Sequence, residues 1–95
     1  MIVERRTWIA KVGHQQEAIE LLKAEMTRVF PSMTVRYYQW LIGPFDTFGC
    51  EAEFESLAAY EKAMSESASR VSPEFFEKWH QVREAGGTNE LWELV

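Results

Sequence analysis

Cysteine occurs once in the chain, at Cys50, so no intramolecular disulfide can form and a four-thiolate metal site is excluded. A lone thiol on an apolar-leaning strand fits a reducing compartment, and a cytoplasmic location is expected. Histidine occurs at His14 and His80 alone, and no His, Cys and carboxylate group has the spacing of metal ligands, so neither a metal nor another cofactor is expected. No apolar run approaches the roughly 18–20 residues that a membrane span needs, and no basic segment followed by an apolar stretch marks a leader. A positive surface is also missing: 10 basic residues stand against 15 acidic ones, for a net charge of -5. The basic residues are scattered and Arg5-Arg6 is too short to be a patch, which argues against a nucleic-acid partner. There is no linker, low-complexity segment, fixed-period repeat or self-sufficient catalytic motif, so residues 1–95 are expected to form a single domain.

What the chain does have is hydrophobic and charged content close to a globular average, at 46% and 26%. A chain of 95 residues buries only about 60–65% of its unfolded surface, so its core is small and pairing with a second copy is favoured.

The aromatic-rich stretch from Thr34 to Phe54 organises the rest: two β-type runs meet at Gly43-Pro44-Phe45-Asp46, the signal of a long hairpin. Before it, Ile2 to Val12 reads as a strand with apolar residues on both faces, and Gly13 breaks it. From Gln15 to Phe30 the residues Ile19, Leu22, Met26, Val29 and Phe30 recur at helical spacing, and Pro31 stops the helix. The hairpin strands span Thr34 to Ile42 and Thr47 to Phe54. Ser56 caps a helix carrying Leu57, Tyr60, Met64 and Ala68, which lapses between Ser65 and Ser72. Ser72-Pro73-Glu74 then starts another helix, with Phe75, Phe76, Trp79 and Val82 expected inward and Gly86-Gly87 as its stop. Asn89 to Val95 alternates as a closing strand.

This order predicts an α+β, ferredoxin-like βαββαβ fold, a four-stranded antiparallel sheet with helices on one face. The other face would be bare, yet Trp8, Tyr38, Trp40 and Trp92 give the strands large apolar residues on both sides. A patch of that size on a monomer is rare, so a two-fold copy is expected to close sheet on sheet as a homodimeric α/β barrel.

Over essentially its whole length the sequence resembles a small bacterial member of the NIPSNAP-like group within the dimeric α/β-barrel superfamily. The residues that carry the resemblance are Glu4-Arg5-Arg6-Thr7-Trp8, similar to that group's Glu-x-Arg-Thr-aromatic start, and Lys11-Val12-Gly13. With them go Ile42-Gly43-Pro44-Phe45-Asp46, Glu53-Phe54-Glu55-Ser56-Leu57 and Ser72-Pro73-Glu74-Phe75-Phe76. The chain departs from the pattern at Asp46, where the group often has Asn, and at Cys50 and Ala52, where it has bulkier residues. The resemblance implies a homodimer whose role is unassigned, with room for a small hydrophobic or aromatic ligand between sheet and helices. Other members of the superfamily are cofactor-independent oxygenases of aromatic polyketides, haem-degrading enzymes, and small decarboxylating or isomerising enzymes.

Each candidate site residue has a packing reading beside the functional one. Arg6 and Glu53, on strands expected to be neighbours, suggest a partly buried pair that anchors an anionic or enolic ligand or satisfies two interface charges. Tyr38 and Trp40 share a strand face, and with Trp8 and Trp79 they would line a pocket for a planar molecule; packing alone also accounts for them. In the haem reading, taken from the haem-degrading relatives, His80 would be the axial ligand. It stands about 100° around the helix from the inward Trp79, which turns it toward solvent. A monooxygenase reading makes Arg6, Tyr38 and Trp40 the binding and anion-stabilising groups. His14 is read as a surface or capping residue and Cys50 as packing.

Overall fold

The computed structural model describes residues 1–95. Four strands and three helices follow in the order β1 (Ile2–Ile9), α1 (Gln15–Val29), β2 (Val35–Gln39), β3 (Thr47–Phe54), α2 (Leu57–Ser67), α3 (Pro73–Val82) and β4 (Thr88–Glu93). The strands form one antiparallel sheet in the order β2-β3-β1-β4, the ferredoxin-like arrangement predicted from the order of elements.

Period-two alternation divides the sheet into two faces. Glu4, Arg6 and Trp8 of β1 stand opposite Ala52, Cys50 and Phe48 of β3, on the face the helices cover. Val3, Arg5 and Thr7 stand opposite Glu53, Glu51 and Gly49 on the outer face. The core lies between the inner face and helices α1 and α3, where Phe48, Phe75 and Trp79 join Ala18, Leu22 and Val82. Trp8 stacks on Phe48 at 5.7 Å and meets Trp79 edge-on at 5.4 Å. Gly49 is small for a reason, because a Cβ there would collide with the Arg6 carbonyl of the neighbouring strand.

Several boundaries fall short of the sequence expectation. β1 ends at Ile9 rather than Val12, since Ala10 already leaves the ladder for a single bridge to Arg83. The same bridge ends α3 at Val82 rather than at Gly86-Gly87: Arg83 turns extended, Val82 O accepts from Lys11 N, and Glu84 N donates to Ile9 O. β2 stops at Gln39, three residues before Ile42, where the chain enters the turn through Gly43 and Asp46. Asp46 has φ 57°, a left-handed conformation that Asn and Asp tolerate better than most side chains. Phe76, expected inward, is 47% exposed. The two Ser caps are as read: Ser56 Oγ accepts from Ala59 N and Ser72 Oγ from Phe75 N, both at 3.1 Å.

Candidate functional site

The inner face of the sheet is incompletely filled. A cavity of about 260 Å³ lies between it and the helices, lined chiefly by hydrophobic side chains, among them Trp8, Cys50, Ala52, Met64, Phe75 and Trp79. Small Cys50 and Ala52 on β3 leave the space that larger strand residues would occupy. Half-exposed Phe76 stands on the lining as well, which places the mouth beside the first turns of α3.

One polar cluster interrupts this apolar lining. Glu4 has a side chain only 7% exposed and accepts two hydrogen bonds on Oε2, from Arg6 Nη2 at 2.9 Å and from Tyr60 Oη at 2.8 Å. Arg6 Nη2 also reaches Met64 Sδ at 3.4 Å. Burial works most strongly against the Arg6 charge, but the bond to Glu4, the Glu4 charge and the Tyr60 oxygen together outweigh it and hold the pKa above the ordinary value. Tyr60 is shifted upward by burial and by its bond to the Glu4 carboxylate, so the phenol stays a donor. Arg6 Nε is buried and has no partner. An orphaned charged donor inside a protein costs free energy unless something fills its place.

Cys50 faces the same space. Burial, reinforced by the charges of Glu4 and Glu51 and opposed by Arg6, pushes its thiol up to about 11. At neutral pH it is a protonated packing group and no nucleophile.

The outer face has a different character. Arg5 Nε lies 2.8 Å from Glu51 Oε1, Arg36 Nη2 bridges Glu51 at 3.2 Å and Glu53 at 3.0 Å, and Tyr38 Oη donates to Glu51 at 3.1 Å. A shallower depression beside this network is lined by Tyr38, Trp40, Ile42 and Pro44 at the hairpin end. Trp40 packs edge-on against Phe45 at 5.0 Å, and its Nε1 is buried without a partner.

The sheet therefore separates residues that the sequence reading grouped together. Trp8 and Trp79 meet at the inner cavity, Tyr38 and Trp40 lie at the outer depression and Glu53 on the outer face, while Arg6 borders both spaces and carries its ion pair on the inner side. The expected Arg6–Glu53 pair does not form. The register sets Arg6 against Cys50 and Glu53 against Val3, which puts the two side chains on opposite faces; Arg6 is paired with Glu4 and Glu53 with Arg36. His80 is exposed, lines neither space, and stacks on Phe76 at 6.5 Å. His14 occupies the cap position of α1 without a side-chain capping bond and sits 3.6 Å from Glu17. Glu4 and Tyr60 are the site residues that the sequence reading missed. A carboxylate two residues from Arg6 on a strand whose neighbours are Ile2, Trp8 and Ala10 was the available signal for Glu4; Tyr60 looked like any apolar helix position.

No protein-family model and no curated protein sequence matches the chain. Solved structures do match. An uncharacterized NIPSNAP domain protein from Burkholderia xenovorans superposes with a TM-score of 0.82 at 14% identity, covering 100% of this chain and 95% of its own. A NIPSNAP family protein from Agrobacterium tumefaciens gives 0.78 at 20% identity, with 99% and 92% covered. A protein described as an antibiotic biosynthesis monooxygenase gives 0.69 at 18% identity, with 100% and 99% covered. The fold of this chain is thus the one seen in NIPSNAP domain proteins.

Proposed function

We propose that residues 1–95 form one NIPSNAP-like domain that works as a homodimeric α/β-barrel protein of the cytoplasm and holds a small hydrophobic or aromatic ligand between its sheet and helices. The observation that carries the ligand is the cavity of about 260 Å³ whose wall holds the buried Glu4 carboxylate, bonded to half-buried Arg6 and to Tyr60 behind it. Ligand sites are typically apolar hollows with a few convergent polar groups, at about 300–1,000 Å³. This one falls just below that range. An engineered apolar cavity of about 150 Å³ takes up benzene, so there is room here for one or two fused rings.

Two observations support the dimer. The chain exposes 6476 Å², against about 5,700 Å² for a folded monomer of its mass. The single chain thus leaves more surface uncovered than a typical monomer of its mass. The uncovered sheet face supplies such a surface, with Trp92 54% and Tyr38 46% exposed, beside a hairpin end where Leu41, Ile42 and Phe45 are almost fully exposed.

The cavity is tested by tryptophan fluorescence, because Trp8 and Trp79 line it. Titration with naphthalene should quench saturably with one site per chain. No saturable quenching by any one- or two-ring compound contradicts the reading.

A second reading, a cofactor-independent monooxygenase acting on aromatic or polyketide-type substrates, draws on the monooxygenase among the structural neighbours. In it Arg6, Trp8 and Trp79 face the substrate in place of Tyr38 and Trp40. Oxygen uptake with anthrone-like compounds that is lost in Arg6→Met supports it; no uptake across a broad panel leaves the binding protein. The haem reading gains nothing from the placement of His80, and a Soret shift lost in His80→Ala would be needed to revive it.

A further inference from the structure

The charge on the cavity wall narrows the chemistry of its ligand, a step that rests on the binding function just proposed. Five of the chain's six arginines, Arg5, Arg6, Arg28, Arg36 and Arg70, have a carboxylate within 4.0 Å. Arg83 has none, and it lines the cavity. The other charged side chains on the lining, Glu4 and Arg6, pair with one another at 2.9 Å, so the wall is net positive by the charge of Arg83.

The fold holds that charge in place. Arg83 follows α3 directly and bridges Ala10, which continues the inner-face row Glu4, Arg6 and Trp8. Paired residues of an antiparallel ladder point to one face, so Arg83 turns toward the cavity. Its guanidinium carbon lies 5.8 Å from the centre of the buried Trp79 ring, a cation–π contact. Nε donates to Glu84 O at 3.1 Å and Nη2 to Gly86 O at 3.0 Å. A guanidinium has five N–H groups, which leaves both on Nη1 and one on Nη2, the edge that takes a carboxylate through two parallel bonds. Arg83 is half-buried, and its Nη1, unlike Arg6 Nε, is not sealed off from solvent. Glu4 is the sole carboxylate on the lining; it stands six residues from Ala10, about 20 Å along an extended strand, and is already neutralised by Arg6. It does not oppose an anion at the Arg83 end.

The aromatic wall suits a flat body: Trp79 stacks on Phe75 at 5.2 Å and meets Trp8 edge-on at 5.4 Å. We infer that the cavity takes a flat aromatic carboxylate, its ring against Trp8 and Trp79 and its carboxylate on the Nη1 and Nη2 edge of Arg83. Arg83 is then the specificity-determining residue of the site. The chain as a whole is acidic, at -5, so a preference for an anion has to arise locally.

Calorimetric titration of the intact protein with 2-naphthoate and 2-acetonaphthone, a charged and an uncharged probe of matching shape, tests this. Naphthoate is expected to bind roughly tenfold more tightly, what one charge-assisted hydrogen bond typically contributes. That preference should shrink as salt rises from about 0.01 to 1 M, where a half-buried charge is increasingly screened, while ketone binding does not weaken. In Arg83→Met naphthoate should fall to the level of the ketone or below, with the ketone itself little changed, which also shows that the variant is folded. Arg83→Lys, which keeps the charge but loses the two-pronged edge, should keep part of the preference. Equal binding of the two probes by the wild type, or a preference that Arg83→Met or high salt leaves unchanged, overturns the inference and leaves the cavity as a binding site. Failure of both probes to bind overturns the binding function together with it.

Discussion

Cys50 and Arg6 occupy opposing positions on β3 and β1, and both owe their chemistry to the same small space. For Cys50 the consequence is inertness. With its thiol pushed up to about 11, the thiolate fraction at pH 8 is roughly a hundredth of that of a thiol at the ordinary 9.0. Alkylation of the native protein by iodoacetamide at pH 8 is therefore expected to run about 100-fold slower than in the urea-unfolded chain; equal rates would place the thiol in a far more polar setting. Arg6 shows why residue type is easier to read than residue partnership. Its importance is visible in the sequence as a cation that shares a strand face with Ile2, Trp8 and Ala10. Its partner is set by register, which joins even positions of β1 to even positions of β3 and so puts Glu53 out of reach. A shift of one residue exchanges the faces of an entire strand, and nothing local in the sequence fixes that shift. Asp46 is the opposite case: the turn it belongs to is announced by Gly43-Pro44, and its side chain suits the left-handed backbone it adopts.

Among the elements, the helices and β3 were legible because their signals are local. Ser56 and Ser72 cap helices at the positions their sequence context announces, and β3 runs over the same eight residues as expected. The ends decided by long-range pairing were not legible: the Ala10–Arg83 bridge shortens both β1 and α3. β2 carries Tyr37 and Tyr38 side by side, so composition could not say which face is inward. In the structure Tyr37 lies beneath the Lys23 ammonium of α1, 5.6 Å from its ring, and Tyr38 is outside. The junction between α1 and α3 depends on Glu25, a buried carboxylate that accepts from Arg28 at 2.8 and 3.0 Å and from the Ser72 backbone N–H at 2.8 Å. The Arg28 bond, with the Ser72 bond behind it, holds the Glu25 carboxyl below its ordinary 4.5. A depressed carboxyl stabilises the fold fully above its unfolded value, and that contribution is lost as the pH falls through the folded one. Glu25→Gln should accordingly melt several degrees below wild type at pH 7, with the two melting temperatures converging as the pH drops below about 4.5. A gap that stays constant down to pH 3 would show that Glu25 acts through shape alone.

At the scale of the molecule, the sheet works as a partition between two unlike surfaces. Inside are the core and the cavity; outside, the ion network of Arg5, Arg36, Glu51 and Glu53 is bordered by Tyr38 and Trp92. The large strand aromatics, expected on both sides of the sheet, divide between the two: Trp8 packs against the chain's own core and Trp92 stands on the outer face. Because Trp92 is 54% exposed in the single chain, replacing it costs the isolated fold little. Trp92→Glu is expected to convert a dimer, seen by light scattering at micromolar concentration, into a folded monomer. A wild-type monomer under those conditions would contradict the proposed assembly.

The ligand cavity is the central claim, and filling it tests that claim most directly. Ala52 lines the space from β3, directly opposite Glu4, so Ala52→Leu should occupy part of it. The measurement is the shift in melting temperature that 2-acetonaphthone produces in wild type and in Ala52→Leu. A ligand at 100 times its Kd stabilises a protein by about 2.7 kcal/mol, a shift of roughly 10 °C or more for a chain of this size. The account predicts that shift in the wild type and its near disappearance in a cooperatively folded Ala52→Leu; an equal shift in both proteins would place the ligand somewhere else and contradict the account.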